Sequence, residues 1–433
     1  MSLAGNLAAV GDHLKSRYLI SLQYLEYRKL WSATICSQSA AWALIVARMA
    51  LVLQITDSAA WTGAVTFAAM IPGVFMSPVA GYLADRFDRR QVLLAAYSVN
   101  LALNLLLAVL VVTGTVNEWY LLVLAVLNGA ARSAQMPTTQ ALLPNTLPKE
   151  HLFNAMSLYG ATQHGSRFVG PFLILVVLWL TGRQDWVFFL CAGLYGVGLG
   201  FILRIRTSST GVTASGGGIG VIAGNLAQGL KYMYRNPLAL SLVLLVVAHC
   251  GMTMSFESLL PVLARDKLGM ATGASILGGA SYLMVGYGAG ALVTALALAG
   301  VRSDAVRGRL FMWLAIFSAV TPVALAMSPG LVLAMLSAAG MGVAQGGFMT
   351  ISAAMLQAIA PDSIRGRMMG VYNLHILGFM ASFNLVNGYV ADFTALTAPL
   401  ILGGGGLAFL VVVTLSFGRL PLRQLYARGV PAT

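Results

Sequence analysis

Charged residues are scarce in this chain of 433 residues, where Asp, Glu, Lys and Arg together make up 9% of the sequence. An ordinary soluble domain carries about 25%. Acids are the scarcer sign, with 13 Asp and Glu against 26 Lys and Arg, and hydrophobic residues account for 58%. Such a chain cannot cover a folded surface with polar groups, so the composition predicts a polytopic helical membrane protein surrounded by a lipid bilayer.

Several chemical motifs are also missing. The chain has no Gly-x-x-x-x-Gly-Lys-Ser/Thr loop for ATP, and neither His-Glu-x-x-His nor Gly-x-Ser-x-Gly. We therefore expect no enzymatic activity, no catalytic residue, no cofactor and no metal site. The three cysteines, Cys36, Cys191 and Cys250, lie inside apolar runs, which favours packing roles over a disulfide framework.

Apolar runs long enough to cross a bilayer as helices, about 20 residues each, recur along the whole chain. We expect about twelve transmembrane helices, over residues 30–55, 61–84, 91–113, 119–142, 152–180, 186–205, 238–263, 273–299, 310–327, 330–359, 368–391 and 396–417. The predicted fold class is therefore all-α. An even number of crossings places both termini on the same side.

The basic residues predict which side that is. If the N-terminus is inside, 20 Lys and Arg fall in cytoplasmic segments, while the outer set is only Arg48, Arg183, Arg265 and Lys267. The remaining two, Arg132 and Arg167, lie within spans. The positive-inside rule then predicts that both termini are cytoplasmic. The net charge of +13 reflects this orientation, and no basic stripe suggests a nucleic-acid partner.

A composition change divides the chain in two. Residues 207–220 are rich in Ser, Thr and Gly and predict a flexible linker, followed by an amphipathic surface helix over 221–236. The predicted domains are a cytoplasmic segment (1–29), a six-helix bundle (30–206), the linker with its helix (207–237), a second bundle (238–418) and a cytoplasmic tail (419–433). Gly81-x-x-x-Asp85 is echoed by Gly300-x-x-x-Asp304, which indicates two pseudo-symmetric halves.

The loop between spans two and three, from Gly81 to Arg90, reads Gly-x-x-x-Asp-Arg-x-x-Arg-Arg. It resembles the loop between helices 2 and 3 of the major facilitator superfamily, with Asp88 where that family usually has Gly. Residues 361–370 resemble the loop before helix 11 in an export-type branch that contains macrolide and multidrug efflux proteins and the enterobactin exporter. Gly170-Pro171 matches only half of the antiporter motif of drug:proton exporters.

The resemblance implies two parallel halves around a central substrate site near the middle of the membrane. It also implies a cytoplasmic gate, in which the loop after span two locks against the start of span eleven. The predicted gate residues are Gly81, Asp85, Arg86, Arg89, Arg90, Arg365 and Arg367.

Ionisable groups inside a bilayer are costly, so each one calls for an explanation. Glu257 is the only acid well inside a predicted span, and we expect it to load and release a proton. Its alternatives are a structural ion pair or a carboxylate at the wet outer mouth. His249, two turns earlier on a similar face of span seven, and His164 in span five are the predicted helpers in proton coupling.

The two arginines within spans predict a polar cavity between the halves. The functional reading is an anionic-substrate or proton site, and the alternative is hydrogen bonding between helices. The residues predicted to line this cavity are Arg132, Arg167, Gln38, Asn104, Gln345, His375 and Asn384.

These features predict a secondary active transporter, monomeric, in the inner membrane of a bacterium. We expect it to export a small amphipathic molecule of the drug, macrolide or siderophore class by alternating access, coupled to protons. Three alternatives stay open. One is a lipid or lysophospholipid flippase on the same fold. Another is a uniporter or anion exchanger that needs no acid, and the third is a membrane sensor or scaffold without transport.

Overall fold

The structure is a computed structural model that describes residues 19–76, 79, 86–207, 219–298, 301, 303–362 and 364–428. These residues form helices, turns and loops without a β-strand. The long helices are α1 Leu25–Thr56, α2 Ala59–Met76, α3 Arg89–Val112, α4 Glu118–Leu142, α5 Leu152–Thr181, α6 Asp185–Leu203, α7 Pro237–Asp266, α8 Gly273–Leu298, α9 Asp304–Met327, α10 Leu331–Ile359, α11 Arg365–Phe393 and α12 Ala398–Ser416. Shorter helical segments are Ile20–Gln23, Leu143–Asn145, Lys149–His151, a surface helix Ile219–Arg235 and a terminal helix Leu420–Arg428.

Eleven of the described helices are long and apolar enough to cross a membrane. The exception among the twelve is α4, which has 25 residues but interrupts its apolar run with Asn128, Arg132 and Gln135. It packs against α1, α2 and α3, so neighbouring helices cover these polar groups. The predicted fold class is confirmed.

The ends of the helices alternate between two faces of the molecule. The Asp57 face carries the loop between α1 and α2 and the equivalent loops after α3, α5, α7, α9 and α11. The Arg89 face carries the start of α1, the start of α3 and the end of α12. These two names are used for the faces below.

The hydrophobic core is shared at one face and divided at the other. Toward the Asp57 face, residues of both halves form one continuous core, in which Leu53 and Val65 pack in the same cluster as Phe256 and Tyr287. Toward the Arg89 face there are two separate cores, one built from α1, α3, α5 and α6 and one from α7, α9, α10, α11 and α12. The two halves are therefore joined at the Asp57 face and separated by a cleft toward the Arg89 face.

The two halves meet at two helix pairs, α2 with α11 and α5 with α8. Glycines in these pairs show that the space between the paired helices increases from the Asp57 face toward the Arg89 face. A Cβ atom added to Gly63 would lie 2.7 Å from the Asn384 carbonyl oxygen, and one on Gly288 would lie 2.7 Å from the Arg167 oxygen. Backbones this close tolerate only glycine. Closer to the Arg89 face, Cβ atoms at Gly378 and Gly165 would find their nearest neighbours at 3.9 Å.

Helix α7 is interrupted in its second half. Its α-helical part ends at His249, a π-helical turn covers Cys250–Met254, and a 3-10 turn at Glu257–Leu259 leads into Leu260–Asp266. The proline ring of Pro261 excludes a regular hydrogen bond to the carbonyl group four residues earlier, at Glu257. Span seven is therefore not the continuous helix that the sequence predicts.

The predicted surface helix is present as Ile219–Arg235. It packs against α11, where a Cβ atom on Gly229 would lie 2.7 Å from the Arg367 carbonyl oxygen. Met233 is fully buried in the core of the second half. The apolar side of this helix therefore covers α11 and the start of α7, and its Tyr232 hydroxyl donates a hydrogen bond to the Ile359 carbonyl at the end of α10.

Candidate functional site

Glu257 lies at the seam between the two halves, just inside the Asp57 face. Its side chain is 4% exposed, and the Asn384 amide donates a hydrogen bond to its carboxylate at 2.9 Å. The neighbouring Ser258 donates its backbone N–H to the same Asn384 side chain at 3.0 Å. The Thr62 hydroxyl of the other half donates to the Ser258 carbonyl at 2.8 Å. A closing contact between the halves is thus one residue from the buried acid.

Arg167 faces Glu257 from the opposite half. Its guanidinium donates a hydrogen bond to the Tyr287 hydroxyl at 3.1 Å and lies 4.5 Å from the centre of the Trp42 ring, within cation–π range. It also interacts electrostatically with Glu257. The structure therefore brings together an acid and a cation that the sequence suggested separately, with Tyr287 as a further member that the sequence did not indicate.

Arg132 approaches the same indole ring from α4. Its guanidinium carbon lies 5.8 Å from the Trp42 ring centre, and one nitrogen donates to the Gln38 side chain at 3.2 Å. Arg132 and Arg167 are both half-buried. Gln38, Arg132 and Arg167, three of the predicted cavity residues, thus meet on the first half's wall.

Four polar atoms on α4 and α5 have no hydrogen-bond partner among the described residues. They are the side-chain nitrogens Gln135 Nε2, Gln163 Nε2 and His164 Nδ1 and the Tyr159 hydroxyl. Tyr159 interacts electrostatically with Arg132, and His164 does so with Arg167. The wall around the two arginines therefore has spare hydrogen-bonding capacity.

The prediction that His249 shares a face with Glu257 is wrong. His249 is fully buried inside the second half, where its Nε2 bonds to the Ser318 hydroxyl at 2.7 Å and its ring packs on Phe348 and Phe409. The π-helical turn between the two residues rotates Glu257 away from the side of α7 on which His249 lies. Gln345 lies in the same interior and donates to the Thr253 carbonyl at 3.0 Å.

Two other predicted cavity residues also lie elsewhere. Asn104 is fully buried within the first half and donates to the Asn100 carbonyl at 2.6 Å. His375 accepts or donates at the Tyr234 hydroxyl, 3.0 Å away on the surface helix, so it fastens that helix to α11. Neither joins the Arg132, Arg167 and Glu257 group.

Arg48 corrects a second expectation. It was predicted to be one of the outer charges, but it is 2% exposed in the middle of the first half. Its guanidinium hydrogen-bonds to the Asn128 side chain, which in turn donates to Asn100 at 2.9 Å. The available signal was its position inside the predicted span 30–55.

The predicted gate arginines contact the ends of helices within their own halves. Arg89 donates to the Ala141 carbonyl at 2.9 Å and Arg90 to the Leu203 carbonyl at 2.9 Å, as cations do at helix C-termini.

The second half shows the same arrangement. Arg365 pairs with Asp362 at 2.6 Å, and Arg367 bonds to Gln228 of the surface helix. Gly81 and Asp85 lie outside the described residues, and Arg86 begins the described part after them. The latch that the resemblance implies remains a prediction.

A set of contacts that sequence reasoning missed closes the Asp57 face. The Asp392 carboxylate accepts hydrogen bonds from the Ser58 hydroxyl and from the backbone N–H groups of Ala59 at 2.7 Å and Ala60 at 3.0 Å. Arg265 bridges to Asp57 at 2.5 Å. Each of these contacts joins one half to the other, so they must break if this face opens.

The family model for transmembrane secretion effectors of the major facilitator superfamily matches residues 19–429. The chain belongs to this family. It is therefore a multi-pass membrane transporter, and the superfamily that its loop motifs resemble is confirmed.

Curated relatives cover most of the chain. It is 28% identical over 383 residues to the multidrug efflux pump Tap of Mycolicibacterium fortuitum, an alignment that spans 84% of this chain and 91% of that protein. A shorter match, 27% identical over 128 residues, relates it to the staphyloferrin A transporter of Staphylococcus aureus, over 29% of this chain and 32% of that protein.

Solved structures share the fold. The nucleoside transporter NupG superposes with a TM-score of 0.68 at 18% identity, over 91% of this chain and 99% of that one. The peptide transporter POT in complex with sulfate gives 0.69 at 14% identity, over 93% and 96%. At these identities the likeness concerns the fold alone.

Proposed function

We propose that this chain exports a small amphipathic molecule by alternating access, in which the two halves rock about the cleft. The observation that carries the proposal is the asymmetry of the seam. The halves share one core at the Asp57 face and have separate cores at the Arg89 face. Arg132 and Arg167 lie half-buried on the wall between these ends. The names of the relatives, a multidrug efflux pump and a staphyloferrin A transporter, support a small-molecule cargo.

The orientation follows from charge. Basic residues such as Arg89, Arg90, Arg204 and Lys149 cluster at the Arg89 face, which the positive-inside rule assigns to the cytoplasm. Both termini then lie in the cytoplasm, and a monomer in the bacterial inner membrane accounts for the proposed cycle. On this assignment the two separate cores lie toward the cytoplasm and the shared core toward the outside, the arrangement expected of a state that loads a molecule for export.

Glu257 is the group proposed to exchange a proton in this cycle. It is buried beside the Thr62–Ser258 contact that closes the outer face, so opening that face would expose it to outside water. Arg167 is its charge partner across the seam. Protonation would remove the negative charge that Arg167 faces, which couples the proton to the approach of the two halves.

The test is to measure transport by the purified full chain in liposomes. A series of amphipathic dyes serves as substrates, and a pH difference or a membrane potential is imposed. Glu257→Gln should keep insertion and abolish the pH dependence of transport. Glu150→Gln, an exposed acid at the Arg89 face, is the matched control and should behave as the unmodified protein. Unchanged pH dependence in Glu257→Gln would remove the proton role, and no transport of any substrate would remove the exporter proposal.

A second candidate is export driven by membrane potential without a coupled proton. Arg132 and Arg167 line the wall half-buried, while the acid Glu257 is buried. This arrangement suits an anion that is exported without a coupled proton. In that case Glu257→Gln would still transport when a potential is applied.

A further inference from the structure

We propose that the exported molecule carries a carboxylate or a similar anionic group, held between Arg132 and Arg167 at the edge of Trp42. This inference rests on the proposed export function. It adds the chemical class of the cargo and the residues that recognise it.

The first observation is a pair of like charges, of which Arg167 alone has an acid, Glu257, as a charge partner across the seam. The two guanidinium groups come from α4 and α5 and lie 5.8 Å and 4.5 Å from the centre of the same Trp42 ring. Neither guanidinium takes part in the ion pairs within 4.0 Å that the described residues form. The two cations beside this ring repel each other, and an anion bound between them would remove that repulsion.

The second observation is a set of buried donors without acceptors. Gln135 and Tyr159 are 4% and 5% exposed, and the Gln135 amide nitrogen and the Tyr159 hydroxyl make no hydrogen bond of good geometry within the described residues, although Tyr195 and Gln163 lie beside them. Tyr159 interacts electrostatically with Arg132. Buried donors left unpaired are destabilising, so a ligand oxygen at this position would satisfy groups that the protein leaves free. A guanidinium pair with flanking donors matches the geometry of a carboxylate.

The position of Glu257 fixes the sign of the coupling. The titratable and charged groups that interact with it are Arg167 of α5, Tyr287 of α8 and Cys250 on its own helix, and Arg167 also interacts with His164. A negative Glu257 competes with an anion for Arg167, so a proton on Glu257 and the anion favour each other. When the anion leaves without that proton, one negative charge moves outward, and a membrane potential negative inside drives its export by about fiftyfold in concentration ratio per charge at 100 mV.

The test compares three probes that share one aromatic frame and differ in charge. They are 2-naphthoate, 2-naphthamide and 2-naphthylmethylammonium, titrated against the purified full chain in detergent or lipid nanodiscs. Naphthoate should bind about tenfold or more tightly than the other two, because a charge-assisted hydrogen bond adds that much to binding. Mildly acidic pH should strengthen its binding, and Glu257→Gln should mimic that effect at neutral pH.

Four variants separate recognition from folding. Arg132→Gln and Arg167→Gln should each weaken naphthoate binding about tenfold and leave naphthamide binding unchanged. Arg132→Lys should recover part of the loss. Arg183→Gln, which removes an exposed arginine at the Asp57 face, should have no effect on any probe.

The outcomes distinguish this inference from the function on which it rests. If the cationic or neutral probe binds and is transported at least as well as naphthoate, the anion inference fails while export stands. The same holds if the two arginine variants bind naphthoate normally. If liposomes containing the protein transport none of the three probes under any imposed gradient, both proposals fail.

Discussion

The Asp57 face is closed by one carboxylate that reaches across the seam. Asp392 of α11 accepts hydrogen bonds from the Ser58 hydroxyl and from the backbone N–H groups of Ala59 and Ala60. These backbone donors belong to the first turn of α2, where the helix dipole also favours a negative charge. Asp392→Ala removes all of these contacts and should favour opening of this face.

The size of the effect follows from the number and exposure of the contacts. A hydrogen bond to a charged group contributes about 1.5–3 kcal/mol in a shielded site. Asp392 is exposed, so each contact is reduced by solvent to about 1 kcal/mol, and the set to roughly 2–3 kcal/mol. This corresponds to a shift of about 30- to 160-fold in the equilibrium between closed and open faces.

The assay is a distance measurement by double electron–electron resonance. Spin labels at Thr115 and Ala271, exposed positions on different halves at the Asp57 face, report the width of this face in a chain whose own cysteines are replaced. Asp392→Ala should add a population with a longer distance. Asp185→Ala is the control, because Asp185 pairs with Arg183 inside one half. An unchanged distance distribution in Asp392→Ala would refute the gate reasoning.

Two further predictions concern packing. In Gly388→Val the new side chain would meet Gly63, whose Cα lies 2.9 Å from a Cβ atom at position 388. The same spin-label pair should therefore show an open face, and transport should fall. Gly404→Val, where the new side chain faces open space, is the control, and equal behaviour of the two variants would contradict the account. Asn128→Ala leaves the buried Arg48 guanidinium without its side-chain acceptor and should lower stability by about 1–3 kcal/mol, seen as a Tm lower by a few degrees in detergent. Replacing both partners by Met and Leu should restore much of this, and an Asn128→Ala variant with an unchanged Tm would show that the pair contributes nothing.

Much of the architecture follows from composition and the spacing of charge. Apolar runs of membrane-spanning length predict the helices, because a helix is the one way for an isolated segment to satisfy its backbone in lipid. The rarity of acids singles out Glu257. Asn384, Arg132, Arg167 and Gln38 were predicted to line a cavity; the structure places Asn384 against Glu257 and brings Gln38 to Arg132, and the cavity stays a prediction.

The failures have a common physical origin in local irregularity and in contacts between distant segments. A regular helix would place His249 and Glu257 on similar faces, but the π-helical turn Cys250–Met254 breaks that register. Asp392 lies in the last turn of α11, and nothing in the local sequence relates this acid to Ser58. Its role becomes visible when α2 and α11 pack together and bring it to Ser58.

Conformational state is a second property that sequence periodicity does not report. The same twelve helices would give the same hydrophobic pattern whether the cleft opens to one face or to the other. The distinction depends on small differences in spacing, such as 2.7 Å at Gly63 against 3.9 Å at Gly378. Only the packed structure shows which end of the seam is closed.

The measurement that tests the alternating-access cycle most directly is transport with the Asp57 face locked. Ser58→Cys and Asp392→Cys, introduced together in a cysteine-free chain, place two thiols where these side chains now touch, and a short reducible reagent can bridge them. We predict that bridging stops transport in liposomes and that reduction restores it, while either single variant transports equally well before and after the same treatment. Continued transport through the bridged protein would contradict the account, because substrate would then be leaving by a route that does not require the halves to separate.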